Sequence, residues 1–274
     1  MNNMRVVYDN ALERAQLSAS SEASPQMAAA KLRIDDKDTL WRAAGKTAAL
    51  TLTWPAAEVL SCCALAFCNF SPTATIRVRG YSDAAGTAQV LDTGVQPACP
   101  APAVRLRGWA AAQAASAYAY GGGALARIWF PEVAVQRIVV DVADPGSLQG
   151  YLEAACLIVG RYFSARYNAS DASMTSVDTT ELYRKASGAQ GADPGFTYRR
   201  LSIDLSRVSP ADRGSVVSLL RNSRGCPVLI SVFPGSQDFE LERDNMIYGR
   251  RTKDSDISTQ YGLNYSTTLE IEEI

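Results

Sequence analysis

The sequence contains no histidine in 274 residues. This removes the commonest general base, the commonest nitrogen ligand for metals and the side chain that titrates near neutral pH. Nucleophilic triads built on histidine are excluded. The expectation is a protein that is not an enzyme, with no catalytic residue to name. C-x-x-C spacing is also missing among the six cysteines, Cys62, Cys63, Cys68, Cys99, Cys156 and Cys226. The gap between Cys63 and Cys68 is loosely like an iron–sulfur spacing, but nothing elsewhere completes it. No metal and no cofactor is expected. The cysteines read as small hydrophobes packed in apolar strands, because this is no short disulfide framework. Long hydrophobic runs are lacking too. Residues 59–70 form one of the longest, and it is too short and interrupted to span a bilayer. The first ten residues show no apolar segment of the signal-peptide kind. Nor is there an excess of either charge. The 27 basic and 28 acidic side chains leave a net −1, which offers no overall attraction to nucleic acid or anionic membrane. A soluble protein made in a cytoplasm, with no nucleic-acid recognition, is expected.

Strand patterns are what is present. Residues 49–54 (ALTLTW) alternate apolar side chains with threonine, and 75–79 (TIRVR) alternate them with arginine. Such alternation buries one face of a strand and leaves the other solvated. Residues 126–130 and 136–142 follow suit. The run 152–159 (LEAACLIV), bounded by glycines and ending in β-branched residues, reads as a central strand. Turn signals separate these runs at 71–72, 83–86, 100–102, 121–123 and 144–146. Short strands at this spacing point to a β-sandwich or jelly roll over residues 1–166. The alanine-rich stretch 110–117 reads equally as helix or flexible loop.

Residues 167–195 are rich in Ser, Thr, Asp, Ala and Gly and read as a connector. A second β unit is expected over 196–274, a sandwich or split barrel with one flanking α-helix at 210–224. Ser209 is its candidate cap, Pro210 suits the first helical position, and Gly225 ends it. Residues 228–233 and 246–250 read as strands. The last run, 261–274, alternates partly, with Leu269 and Ile271 against Glu270 and Glu272, and loses its period at Glu273. The fold class is therefore mainly β.

The side-chain constellations are weakly specific. Asp35, Asp36 and Asp38 could hold a hard cation through oxygen, but no EF-hand loop is completed and a solvated acidic turn is the preferred reading. Asp254 and Asp256, near Glu240, Glu242 and Asp244, are read the same way. Gly121 to Gly123 are not a phosphate loop. Of the four tryptophans, Trp54 and Trp129 sit in strand patterns and are assigned to the core. Trp109, beside Gly108, is the candidate glycan contact. Arg199, Arg200, Arg250 and Arg251 read equally as a subunit interface or as a solvated face balanced by nearby acids, and Leu269 and Ile271 on the last strand join them as interface candidates. That last strand is the candidate edge for pairing with another copy.

Two stretches carry a resemblance. Residues 17–25 (LSASSEASP), 30–32 (AKL), 39–42 (TLWR) and 65–70 (LAFCNF) with the strand at 75–80 resemble the opening of discoidin-like, galactose-binding-like jelly rolls. Residues 198–205 (YRRLSIDL), 227–234 (PVLISVFP), 247–249 (IYG) and 265–273 (YSTTLEIEE) resemble small tail proteins of long-tailed phages, of the tube and distal-tail type. The second resemblance implies a structural virion protein of the tail tip. It would form a homo-oligomeric, hexameric ring joining tail tube to baseplate or fibres, with tube, hub and fibre proteins as partners. The first implies the alternative, an adhesion module that recognises host-surface carbohydrate. A carboxylate-based, histidine-free hydrolase is a third reading.

Overall fold

The computed structural model describes residues 3–99, 124–236, 239–260 and 264–274. The turn at 100–102, Trp109, the stretch 110–117 and Gly121 to Gly123 lie outside the described residues. The strands are, in chain order, β1 (Arg5–Val7), β2 (Gln16–Ala19), β3 (Trp41–Arg42), β4 (Thr47–Cys68), β5 (Thr75–Tyr81), β6 (Gln89–Asp92), β7 (Gln96–Pro97), β8 (Ala124–Ala143), β9 (Glu153–Ala154), β10 (Cys156–Gly160), β11 (Asp171–Asp178), β12 (Glu181–Arg184), β13 (Gln190–Asp193), β14 (Thr197–Val208), β15 (Val228–Ser231), β16 (Met246–Arg251), β17 (Ser258–Gln260) and β18 (Asn264–Glu273). Helix α1 (Arg213–Asn222) precedes β15, and a short helix α2 (Phe239–Asp244) follows it. The chain is mainly β, as its alternation implies. Among the described residues no helix is long and apolar enough to cross a membrane.

The first module is a bent antiparallel sheet in the order β10-β4-β8-β5-β6, with β2 beside β4 and β7 beside β5. Its spine is the long β4–β8 ladder, which slips register between Thr53 and Glu58. Pro55 in that slip has no amide to donate, and such residues sit at bulges. The bulge bends the ribbon so that its two halves close over one core holding Leu50, Leu52, Trp54, Leu65, Ile76, Ile138 and Val140. Trp54 is in this core, as expected, with its indole N–H donating to the Ala11 carbonyl at 2.9 Å. At the far end, buried Asp144 accepts from the Ser71 amide at 2.7 Å and from the Ser71 and Thr73 hydroxyls, tying two loops together.

The second module is the sheet β1-β15-β16-β18-β14-β11, with β17 beside β18. Its organisation departs from the sequence reading in four places. The N-terminal strand β1 pairs with β15 and so belongs to this sheet. Residues 171–178, inside the expected connector, form an edge strand on β14, and β12–β13 make a hairpin beyond it. Strand β18 lies between β16 and β14 and is no free edge. Leu269 and Ile271 are fully buried in this module's own core with Val6, Leu201, Ile203, Val216, Leu219 and Ile230, so they offer no surface to another subunit. The helix starts three residues later than expected. The Ser209 hydroxyl donates to Asp212 instead, closing a turn ahead of α1.

The candidate interface arginines are likewise committed within the chain. Buried Arg199 is paired with Glu273 at 2.8 Å, Arg200 with Glu272, and Arg250 faces Asp35 at 3.6 Å. Arg251 donates to the Leu220 and Lys253 carbonyls. The period lost at Glu273 now has a cause: its carboxylate turns in to meet Arg199 and Lys37.

A third apolar cluster joins the modules. Residues 60–68 of β4 are buried on both faces. Cys63 and Leu65 point into the first core, while Cys62, Ala64 and Ala66 point at the second module. Those small side chains let Val7, Leu229, Met246 and Tyr248 pack close. A bulge between Ala66 and Cys68 places Phe67 at φ 54° and turns its ring into this seam, against Tyr248. Strand β10 is a sheet edge, not the expected central strand, and it is buried because the seam covers it. Trp129, assigned to the core from its strand pattern, is half-buried at the seam. Its indole donates to buried Glu242 at 3.1 Å, and Arg127 closes on the same carboxylate at 2.6 Å.

Candidate functional site

The chain crosses between the modules twice, at residues 7–10 and 160–165, and the two crossings lie side by side. The Val6 amide donates to the Phe163 carbonyl at 2.8 Å, and the Phe163 amide returns the bond at 2.7 Å. Asn10 donates to the Leu157 carbonyl and accepts from the Val159 amide, each at 3.0 Å. Gly160 makes the closeness possible, since a Cβ there would lie 2.4 Å from the Asp9 carbonyl oxygen.

Beside the crossings runs a trough of about 520 Å³. That is within the range of small-molecule sites, which favour the borders between domains. Three aromatic side chains line it: Tyr8, Tyr162 and Phe163. Tyr8 and Phe163 rest on the second module's core, whereas Tyr162 packs on the seam. The Tyr162 ring is held edge-on by Trp129 at 5.7 Å and backed by the Arg5 guanidinium at 4.5 Å. Polar groups frame the rings: Asp9, Glu132, Arg161, Ser164, Asp212 and Ser215.

The framing groups are partnered but mostly exposed. Arg161 bonds Glu132 at 2.8 Å, and that hydrogen bond raises the guanidinium's pKa. Arg14 grips Asp9 at 2.8 and 3.0 Å and also Glu58, and both bonds raise its pKa. Exposed pairs of this kind contribute only about 0–1 kcal/mol, so they can exchange partners at little cost. Asp212 accepts from the Ser209 hydroxyl and the Arg166 amide. Flat rings beside bidentate hydrogen-bonding groups suit a ligand with both C–H faces and hydroxyls.

A second hollow, of about 320 Å³, lies against the same first crossing. Tyr8 and Asp9 line both hollows. Its other walls include Glu13, Arg33, Asp35, Arg221, Asn222 and Tyr248. Burial is the main cause that raises the Tyr248 phenol's pKa, and the phenol donates to Asp35 at 2.7 Å. Asp35 is thus a seam residue, while Asp36 holds its own turn by accepting from the Asp38 amide. Among the described residues no group of three or more metal-ligating side chains assembles. Five cysteines are buried free thiols and Cys226 is exposed. Burial pushes Cys63 and Cys156 up to about 12.

Trp109 lies outside the described residues, and the candidate arginines are not among the residues that line this trough. Its aromatic residues come from segments about 150 positions apart. The one local sign is the Tyr162-Phe163 pair, separated by one residue from the glycine that ends an apolar strand.

No protein-family model matches the chain, and no curated protein matches its sequence. Solved structures do. A Clostridium perfringens module, CpGH89CBM32-5, in complex with GalNAc-β-1,3-galactose, is 12% identical. It covers 54% of this chain and 96% of its own, with a TM-score of 0.39. The family 32 carbohydrate-binding module of C. perfringens NanJ, in complex with galactose, is 13% identical over 58% of this chain and 99% of its own, at 0.38. A chitosan-binding module from a Paenibacillus chitosanase/glucanase is 14% identical over 55% of this chain and 98% of its own, at 0.36. The ligands named are those proteins' own.

Proposed function

We propose that this protein is a non-catalytic carbohydrate-binding module, and that it binds sugar in the aromatic trough at the junction of its two modules. The observation that carries this reading is the convergence of Tyr8, Tyr162 and Phe163 on one trough framed by the exposed Glu132–Arg161 pair. Rings stack on the C–H faces of a pyranose, and the exposed ion pair trades its mutual hydrogen bond for hydroxyls. A catalytic role is not part of the reading, because the trough carboxylates Asp9, Glu132 and Asp212 each hold a structural partner and no histidine is available.

A glycan array of neutral, amino and acidic saccharides, followed by titration calorimetry, tests it. Binding is expected for at least one saccharide class. The Glu132→Ala and Arg161→Ala variants, whose side chains are exposed, are expected to weaken it about tenfold with an unchanged melting temperature. No binding on the array, or full binding by both variants, would contradict the reading.

A second reading is favoured by a different observation. The β12–β13 hairpin extends past the edge strand β11, and its flank exposes Leu182, Tyr183 and Phe196 at 65, 45 and 69%. Isolated hairpins are marginal in water, and exposed apolar groups of this size favour a partner. It motivates a second proposal, a structural component that docks protein partners through this hairpin, for which a homo-oligomeric phage tail-tip protein is the form tested. Mass photometry separates the two: a strictly monomeric particle at all concentrations argues against assembly.

A further inference from the structure

The two hollows at the junction share Tyr8 and Asp9 as a common wall. Both hollows therefore abut the first crossing at these two residues. Resting on the carbohydrate reading above, we infer that they are adjoining subsites of one groove, and that the ligand is a linear oligosaccharide rather than a single sugar. The first subsite is aromatic, lined by Tyr162 and Phe163. The second has Tyr248 as a partly polar wall, with its hydroxyl held by Asp35. Its rim carries exposed Arg221 and Asn222 from the end of α1. Arg33 is fixed there by the Glu13 and Ala15 carbonyls and shapes the wall. The first subsite takes the C–H face of one sugar ring. The second presents guanidinium and amide donors to the hydroxyls of the next.

Both modules contribute to each subsite. The first module supplies Glu132 to the aromatic subsite and Arg33 to the polar one. The second supplies Asp212 to the aromatic subsite and Arg221 to the polar one. A chain of sugars laid along the junction therefore touches four separate segments. A monosaccharide in either hollow touches fewer. Joining two weak subsites through one rigid ligand raises affinity without any new contact.

Titration calorimetry of the full chain with mono-, di- and tetrasaccharides of β-1,4-linked N-acetylglucosamine, glucose and galactose tests this. In at least one series the tetrasaccharide is expected to bind about tenfold or more tighter than the monosaccharide. Arg221→Ala together with Asn222→Ala, both exposed, is expected to remove that length dependence. Glu132→Ala is expected to weaken every length. Equal affinity at all lengths, with the Arg221/Asn222 variant inert, would overturn the extended groove and leave single-site binding standing. Absence of binding in all three series would overturn both.

Discussion

Replacing Glu242 with alanine is expected to destabilise the protein by about 3–5 kcal/mol, because it leaves a buried guanidinium without its counter-charge. The carboxylate is 1% exposed, and its partner Arg127 is 13% exposed. It also accepts the Trp129 indole N–H. Two polar groups of β8, the Arg127 guanidinium and the Trp129 indole, thus depend on one side chain from α2. A shift of that size lowers the melting temperature by on the order of ten degrees. Glu242→Gln keeps an acceptor for the indole but leaves Arg127 charged and unpaired, so an intermediate loss is expected. The double replacement of Arg127 by Met and Glu242 by Leu removes both charges at similar volume. It is expected to recover most of the loss. Arg161→Ala breaks an exposed pair and is expected to cost less than about 1 kcal/mol. Thermal melts of the four variants check the order, and equal melting temperatures for Glu242→Ala and Arg161→Ala would refute it.

Gly160→Ala is expected to act on stability and ligand binding together. The added Cβ would sit 2.4 Å from the Asp9 carbonyl oxygen and 2.9 Å from a Val7 methyl. Both neighbours belong to the other crossing, and the carbonyl is backbone that cannot rotate away. Overpacking of this kind costs about 1–3 kcal/mol. It also parts the crossings that set Tyr8 against Tyr162 and Phe163. Saccharide affinity is expected to fall about tenfold, as for loss of a rim group. Gly150 gives the contrast. It has φ +81° but open space around its missing Cβ. Its replacement by alanine carries a backbone penalty of about 1–2 kcal/mol, with no effect on binding expected.

The physical basis of what could be read from the sequence is local. Alternation at residues 49–54 and 75–79 implies strands with one buried face, and the burial follows it residue by residue. The doubly buried stretch 60–68 shows the limit of that reading. Its apolar run signals burial on two faces, but which partner covers the second face depends on β10 and the second module. Leu269 and Ile271 were placed at an interface because the last strand looked like an edge. Strand order put it between β16 and β14, and strand order is set by contacts far apart in sequence. The balance of Arg199 and Arg200 by acids is one of the two readings the sequence allows, but which acids, Glu273 and Glu272, is fixed by cross-strand register. Strand β1 has three residues, too few for any period. The trough was least legible of all, because its aromatic side chains gather only once both crossings are stitched together.

Hydrogen–deuterium exchange of the full chain, with and without a saturating saccharide found on the array, tests the location of the site most directly. Protection is expected at residues 7–10, at 160–164 and at the first turn of α1, with the Ser71–Asp144 loops unchanged. Protection concentrated at those distal loops of the first module, with none at the crossings, would contradict a binding site at the junction.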